Sequence, residues 1–86
     1  MRNLTVAAAQ LGPIQRNDDR QSVVIRLIDL LRDAHSKSAE LVVFPELALT
    51  TFFPRWFVEN ISEADHWYET EMPSIATRPL FDEAKK

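Results

Sequence analysis

The chain has 86 residues, of which 45% are hydrophobic and 27% are charged, a balance typical of a globular domain. Its net charge of −3 lacks the basic character of nucleic-acid-binding proteins, and no apolar run approaches the ~20 residues that span a bilayer. Cysteine is absent, which excludes disulfides and a thiol nucleophile within these residues, and the single glycine excludes a glycine-rich phosphate loop. We therefore expect a small cytoplasmic domain that binds neither nucleic acid nor membrane.

The first predicted element is a strand over residues 4–10, a run of small and branched apolar residues that stops before Gly12-Pro13. Such a run is typical of a parallel strand buried on both faces, although periodicity alone does not distinguish it from a buried helical segment.

An amphipathic helix of about five turns is predicted next. Asn17, Asp18 and Asp19 are N-cap candidates, and their negative charge favours a helix start. The helix is expected to end near residues 35–37, where a cationic side chain suits the C-terminal dipole. Apolar residues recur at helical spacing along one side, at Val24, Leu27, Ile28, Leu31 and Ala34, and Val23 and Leu30 widen that side.

A second strand is predicted over residues 41–44, followed by Pro45 and Glu46. Because the residue before a proline disfavours the α region, Phe44 stays extended and Pro45 ends the strand. Strand, helix and strand within about forty residues form a βαβ unit with parallel strands. Glu46 then lies just outside the carboxyl end of a parallel strand, where ligands bind in open α/β folds.

The rest of the chain is predicted to be an ordered aromatic loop over residues 47–56 and two short helices. Ser62 and Asp65 have the spacing of a capping box, which favours a helix through Tyr68. Pro79 is tolerated in the first turn of a second helix that runs to the end of the sequence. Two strands cannot cover both faces of their own sheet, so we expect the chain to be the beginning of a larger α/β domain.

From the residues alone, Glu46 has two interpretations. It is the only charged residue between Glu40 and Arg55, and a desolvated carboxylate needs partners or has a raised pKa. A carboxylate that caps or pairs at a strand end is common, whereas a raised pKa would suit a general base that works near neutral pH.

The neighbouring aromatic and basic residues also have two interpretations. Phe52, Phe53 and Trp56 could line a substrate pocket, pack the loop onto the protein or form a subunit contact, and packing is the favoured alternative. Arg55 could bind a substrate carboxylate through its guanidinium or pair with a nearby glutamate, Glu59, Glu63 or Glu69. The two histidines, at positions 35 and 66, have no second ligand at metal spacing.

The segment VVFPELALTTFFPRW, residues 42–56, resembles the nitrilase superfamily of carbon–nitrogen hydrolases, and within it most resembles the N-carbamoyl-D-amino acid amidohydrolases. Phe44-Pro45-Glu46 is the general signature of the superfamily, and the part from Leu49 onward is more specific. Further likeness lies in residues 10–13, 68–73 and 78–81. The resemblance covers nearly the whole chain but about the first third of a family member.

The resemblance implies that residues 1–86 are the N-terminal fragment of a single domain with an αββα sandwich fold. It implies a Glu–Lys–Cys mechanism in which Glu46 is the general base, and an N-carbamoyl-D-amino acid substrate that yields D-amino acid, ammonia and carbon dioxide. It further implies no cofactor or metal and a homo-oligomeric full-length enzyme. The candidate substrate contacts, chosen from their residue types, are Phe53, Arg55 and Trp56.

The chain departs from the family pattern because it has no cysteine, and its lysines match no catalytic position. Two alternatives therefore stay open. One is a truncated, non-catalytic module that assembles through an exposed sheet edge, which would give dimers or aggregates. The other is a related chemistry, that of a nitrilase or an aliphatic amidase.

Overall fold

The computed structural model describes residues 2–86, with the side chain of Arg55 outside the description. It has the predicted α/β order: strand β1 (Val6–Ala8), helix α1 (Arg20–Ser36), strand β2 (Leu41–Val43), two 3₁₀ helices (Phe53–Arg55 and Ile61–Trp67) and helix α2 (Arg78–Ala84). The strand–helix–strand unit and the α/β fold class are as predicted.

Helix α1 begins and ends where the sequence predicts. Asp19 is the N-cap, and its carboxylate accepts the backbone N–H of Ser22 at 2.7 Å. This hydrogen bond lowers the pKa of Asp19 from its ordinary value of 3.8. At the other end, the N–H of Lys37 donates to the carbonyl of Ala34, which closes the last turn.

The two strands pair in parallel, with Val6 opposite Leu41 and Ala8 opposite Val43. The pairing continues one residue further, where Ala9 N–H donates to Val43 O at 2.9 Å. Both strands are shorter than the apolar runs that predict them. The carboxyl ends of the strands meet at one edge of the sheet, which brings the segments after residues 8 and 43 close together.

The prediction that the strands are buried on both faces is wrong for the described residues. Ala7 and Val42 are half-buried on one face, whereas Val6, Leu41 and Val43 on the other face are each about half exposed. A parallel sheet needs a layer on each face to be buried fully, and the described residues supply one such layer.

The hydrophobic core lies between α1 and the segments that follow the strands. Ile14, Val23 and Leu27 are its buried members. Side chains from the loops and α2 pack around them and remain partly exposed: Leu11, Phe44, Ala48, Leu49 and Leu80. The same core therefore holds both loops that meet at the carboxyl end of the sheet.

The second half of the chain is helical in short pieces. The helix predicted to be capped by Ser62 is a 3₁₀ helix whose N-cap is Asn60, because the Asn60 side chain accepts the Ser62 N–H at 3.2 Å. Helix α2 begins after Thr77 with proline in its first turn, as predicted, and ends at Ala84. Between residues 2 and 86, no helix has the length and apolar character needed to cross a membrane.

Candidate active site around Glu46

Glu46 lies in a turn that directly follows β2, with Phe44 and Pro45 between the strand and the carboxylate. This is the predicted place, at the carboxyl end of the parallel pair. The expected desolvation is not found, because Glu46 belongs to the exposed residues. Three residues of the flanking apolar run, Phe44, Ala48 and Leu49, pack against the buried cluster instead.

A cavity of about 150 Å³ lies beside Glu46. One wall is the loop after β1, and the other is the turn after β2; its lining is Leu11, Gly12, Pro13, Ile14, Pro45, Glu46, Leu47, Ala48, Thr50 and Phe52. Gly12 has φ +82°, a left-handed conformation that other residues adopt at a cost, so the single glycine of the chain shapes this wall. The loop with Gly12-Pro13 and the turn with Glu46 are distant in the sequence, and the fold brings them together at this cavity.

The turn that carries Glu46 holds an unusual backbone conformation. Leu47 has φ +53°, and left-handed geometry is uncommon for a residue other than glycine. The N–H of Thr50 donates to the carbonyl of Leu47 at 3.3 Å and closes the turn. Strained residues of this kind persist where surrounding contacts hold them, and they are frequent at functional sites.

Two threonines directly follow the turn that carries Glu46. Thr50 and Thr51 are buried, and within the described part of the chain their hydroxyl oxygens have no hydrogen-bond partner. Buried hydroxyls are normally paired, so each unpaired one needs an explanation, such as a bound water or a functional role. Thr50 also lines the cavity beside Glu46.

The predicted aromatic residues form a cluster behind the turn. Phe53 stacks on Trp67 with ring centroids 5.4 Å apart and meets Tyr68 edge-on at 5.3 Å. The guanidinium of Arg16 lies 5.2 Å from the ring centre of Trp56 and 5.8 Å from that of Trp67, within cation–π range. Phe53 and Trp56 therefore make packing contacts with other parts of the chain.

The remaining site candidates lie apart from these contacts. Arg55 closes the first 3₁₀ helix, and its side chain lies outside the described residues. Phe52 is about half exposed and faces the cavity beside Glu46. The described residues hold no group of three or more His, Asp or Glu side chains arranged to bind a metal ion.

A larger cavity lies elsewhere in the described part of the chain. It has a volume of about 490 Å³ and runs between α1, α2 and β2, with Leu31, Leu41 and Phe81 among its lining residues. Glu46 is not part of it. Apolar side chains dominate its floor, and its rim carries the ion pair of Arg32 with Glu83, whose closest atoms are 2.8 Å apart. We therefore place the candidate chemistry at the smaller cavity, where a carboxylate and a buried hydroxyl meet.

Comparison with known protein families identifies the family of this chain. The family model described as carbon-nitrogen hydrolase matches residues 5–86. The chain belongs to this family. Membership assigns it to the hydrolases that act on carbon–nitrogen bonds, and the match includes both walls of the Glu46 cavity and the aromatic cluster. The superfamily resemblance drawn from Phe44-Pro45-Glu46 is thereby confirmed.

Proposed function

We propose that this chain supplies the general base of an N-carbamoyl-D-amino acid amidohydrolase, and that Glu46 is that base. One observation carries the proposal: Glu46 stands exposed at the carboxyl end of β2, beside a small cavity, in a chain of the carbon–nitrogen hydrolase family. An exposed carboxylate at this edge is free to contact a substrate or a neighbouring thiol.

The chemistry follows the Glu–Lys–Cys scheme that the family resemblance implies. The Glu46 carboxylate takes the proton of a cysteine thiol as the sulfur attacks the carbamoyl carbon, and a lysine stabilises the oxyanion. The proton passes to the leaving ammonia, and the sulfur keeps the rest of the substrate as a covalent intermediate. Glu46 then takes a proton from water, which attacks that carbon and releases the thiol. The resulting carbamate breaks down to the amino acid and carbon dioxide.

The lysine and the cysteine of this scheme would come from outside these residues. The chain contains no cysteine, and its lysines lie at Lys37, after α1, and at Lys85 and Lys86, after α2. We propose that residues 1–86 form the N-terminal part of one hydrolase domain. The exposed outer face of the sheet supports this, because such a face is normally covered by another layer. We also propose a homo-oligomeric full-length enzyme.

The substrate contacts are proposed from the same loop. Phe53 and Trp56 would present aromatic surface to the substrate side chain, and the Arg55 guanidinium would match its carboxylate bidentately. The specific run around these residues supports an N-carbamoyl amino acid over a nitrile or an aliphatic amide.

The test uses the protein expressed from its complete reading frame, which also establishes by intact mass what accompanies these residues. Ammonia release is measured with N-carbamoyl-D-amino acids, their L-enantiomers, a nitrile and an aliphatic amide. Glu46→Gln keeps the size of the side chain but removes the base, so kcat should fall by at least about 100-fold. Glu40→Gln is the matched control, because Glu40 directly precedes the opposite end of β2, and its kcat should not change.

Equal activity of the Glu46→Gln and Glu40→Gln variants would exclude Glu46 as the base. Faster turnover of the nitrile or the aliphatic amide would move the enzyme to another branch of the family. If the reading frame and any companion chain add no cysteine, the hydrolase proposal fails and the non-catalytic module remains.

A further inference from the structure

Arg20, the first residue of α1, makes an unusual set of contacts across the chain. Its guanidinium donates to the carbonyl of Leu49 at 2.8 Å through Nη1, and to those of His66 at 3.4 Å and Trp67 at 3.3 Å through Nη2. Its Nε lies 2.7 Å from a carboxylate oxygen of Glu69. One side chain therefore joins the start of α1, the turn after β2 and the end of the second 3₁₀ helix.

The contact to Leu49 reaches the turn that carries Glu46. That turn spans residues 46–49 and contains the left-handed Leu47. A left-handed residue other than glycine is unfavourable in isolation, so tertiary contacts must hold it. The hydrogen bond from Arg20 is such a contact, because it fixes the carbonyl three residues after Glu46.

We call the contacts of Arg20 with Leu49, His66, Trp67 and Glu69 the Arg20 clamp. A third cavity, of about 230 Å³, is lined by Arg20, Glu69 and three aromatic residues, Phe53, Trp67 and Tyr68. Leu47, Ala48 and Thr50 line both this cavity and the one beside Glu46. The turn that carries Glu46 therefore borders both cavities.

Among the described side chains, the pair of Arg20 with Glu69 is the ion pair in which neither partner is more than 20% exposed. The side chains of Arg20 and Glu69 are only 18% and 20% exposed, whereas Arg32 in its pair with Glu83 is 60% exposed. Ion pairs withdrawn from water are screened less than exposed ones, so removing one partner destabilises the structure more. The Glu69 oxygen lies off the line of the Arg20 N–H, so their attraction is ionic rather than a well-aligned hydrogen bond.

The geometry points to Arg20 as a positioning residue for the catalytic glutamate, held in place by Glu69. The inference rests on the proposed function, since Glu46 must be the base for its position to affect the rate. Arginine suits the role because its planar fork donates in several directions from one fixed group, which lysine cannot do. Arg20 does not itself touch the Glu46 cavity.

The test compares substitutions at Arg20 in the protein expressed from its complete reading frame. A misplacement of about 1 Å costs about 100-fold in rate, so Arg20→Gln should lower kcat by about 10- to 100-fold while KM changes less than about threefold. Arg20→Lys should recover only part of the loss. Arg32→Gln is the matched control, because it removes an ion pair on the same helix at a distance from the turn, and it should leave kcat unchanged.

A double variant that exchanges the two charges distinguishes the hydrogen bond from Arg20 to Leu49 from the ion pair of Arg20 with Glu69. The double variant Arg20→Glu with Glu69→Arg keeps opposite charges at both positions but cannot donate from position 20 to the Leu49 carbonyl. We expect it to remain as slow as Arg20→Gln. Full recovery of kcat would show that only the ion pair matters and would overturn the inference.

Amide hydrogen exchange tests whether Arg20 holds the turn independently of whether the protein is an active hydrolase. The Thr50 N–H that closes the turn should exchange faster in Arg20→Gln and at the wild-type rate in Arg32→Gln. If the wild-type protein hydrolyses no carbon–nitrogen bond, the proposed function fails, while exchange still decides whether Arg20 holds the turn. Unchanged Thr50 exchange in Arg20→Gln, or an unchanged kcat in an active enzyme, overturns the inference.

Discussion

Replacing Leu27 by alanine is the most direct test of the core, because this residue of α1 belongs to the cluster on which both loops of the candidate site pack. Its side chain is 1% exposed and packs with Ile14 and Val23. Replacement by alanine removes buried methyl groups and leaves a cavity, which costs 2–5 kcal/mol in well-packed cores. The surrounding side chains are only partly buried and can relax into the space, so we expect about 3 kcal/mol.

That loss is large for a chain of this size. Domains have about 0.05–0.15 kcal/mol of stability per residue, which gives roughly 4–13 kcal/mol for 86 residues. Urea unfolding followed by tryptophan fluorescence measures the effect, and the midpoint should fall by roughly 2 M for an m-value of about 1.5 kcal/mol per molar. The control is Ile25→Ala on the same helix, which should change the free energy of unfolding by less than about 0.5 kcal/mol because Ile25 is 53% exposed.

A loss below about 1 kcal/mol for Leu27→Ala would refute this account of the core. It would mean that α1 does not pack on the two loops as described. The unsubstituted chain distinguishes this result from a chain that is not cooperatively folded, because such a chain would show no cooperative urea transition.

Three further predictions concern the aromatic cluster, the pH dependence of stability and the activity of the isolated 86-residue chain. Phe53→Leu should remove the stack on Trp67, shift the tryptophan emission and cost about 1 kcal/mol in urea unfolding, whereas Phe57→Leu at an exposed position should do neither. Hydrogen bonds lower the pKa of Asp19 and Glu83 below the unfolded values of 3.8 and 4.5, so the stability they contribute is present above those values and lost as pH falls. The urea midpoint should therefore be lower at about pH 3 than at about pH 6, and equal midpoints would contradict the shifts. The purified 86-residue chain should release no ammonia from an N-carbamoyl amino acid, since it has no cysteine; measurable release would contradict the mechanism.

Local signals in the sequence were enough to predict the main elements. The bounds of α1 follow from Asp19 and the helical spacing of its apolar residues, and the position of Glu46 follows from Pro45 at the end of an apolar run. Parallel pairing follows from the strand–helix–strand order, because a crossover of that length leaves few other arrangements.

Contacts between distant residues could not be predicted in the same way. An isolated charge in an apolar run suggested a desolvated Glu46, but burial depends on which neighbours surround a side chain, and here the neighbours pack on the core while the carboxylate stays exposed. The Arg20 clamp joins residues 20, 49, 66, 67 and 69, and no periodic pattern links such positions. The cap at Asn60 was missed because Ser62 offered a competing capping motif two residues later.

The parallel register has a consequence for the order of folding. Val6 and Leu41 pair directly, yet the whole of α1 lies between them, so closing the sheet carries the entropy cost of a long loop. Helix formation is local and takes about a microsecond, whereas distant strand pairing is slower. Helix α1 shortens the distance between the strands before they meet. We therefore expect the edge that presents Glu46 to form late in folding, as a result of helix docking rather than as its starting point.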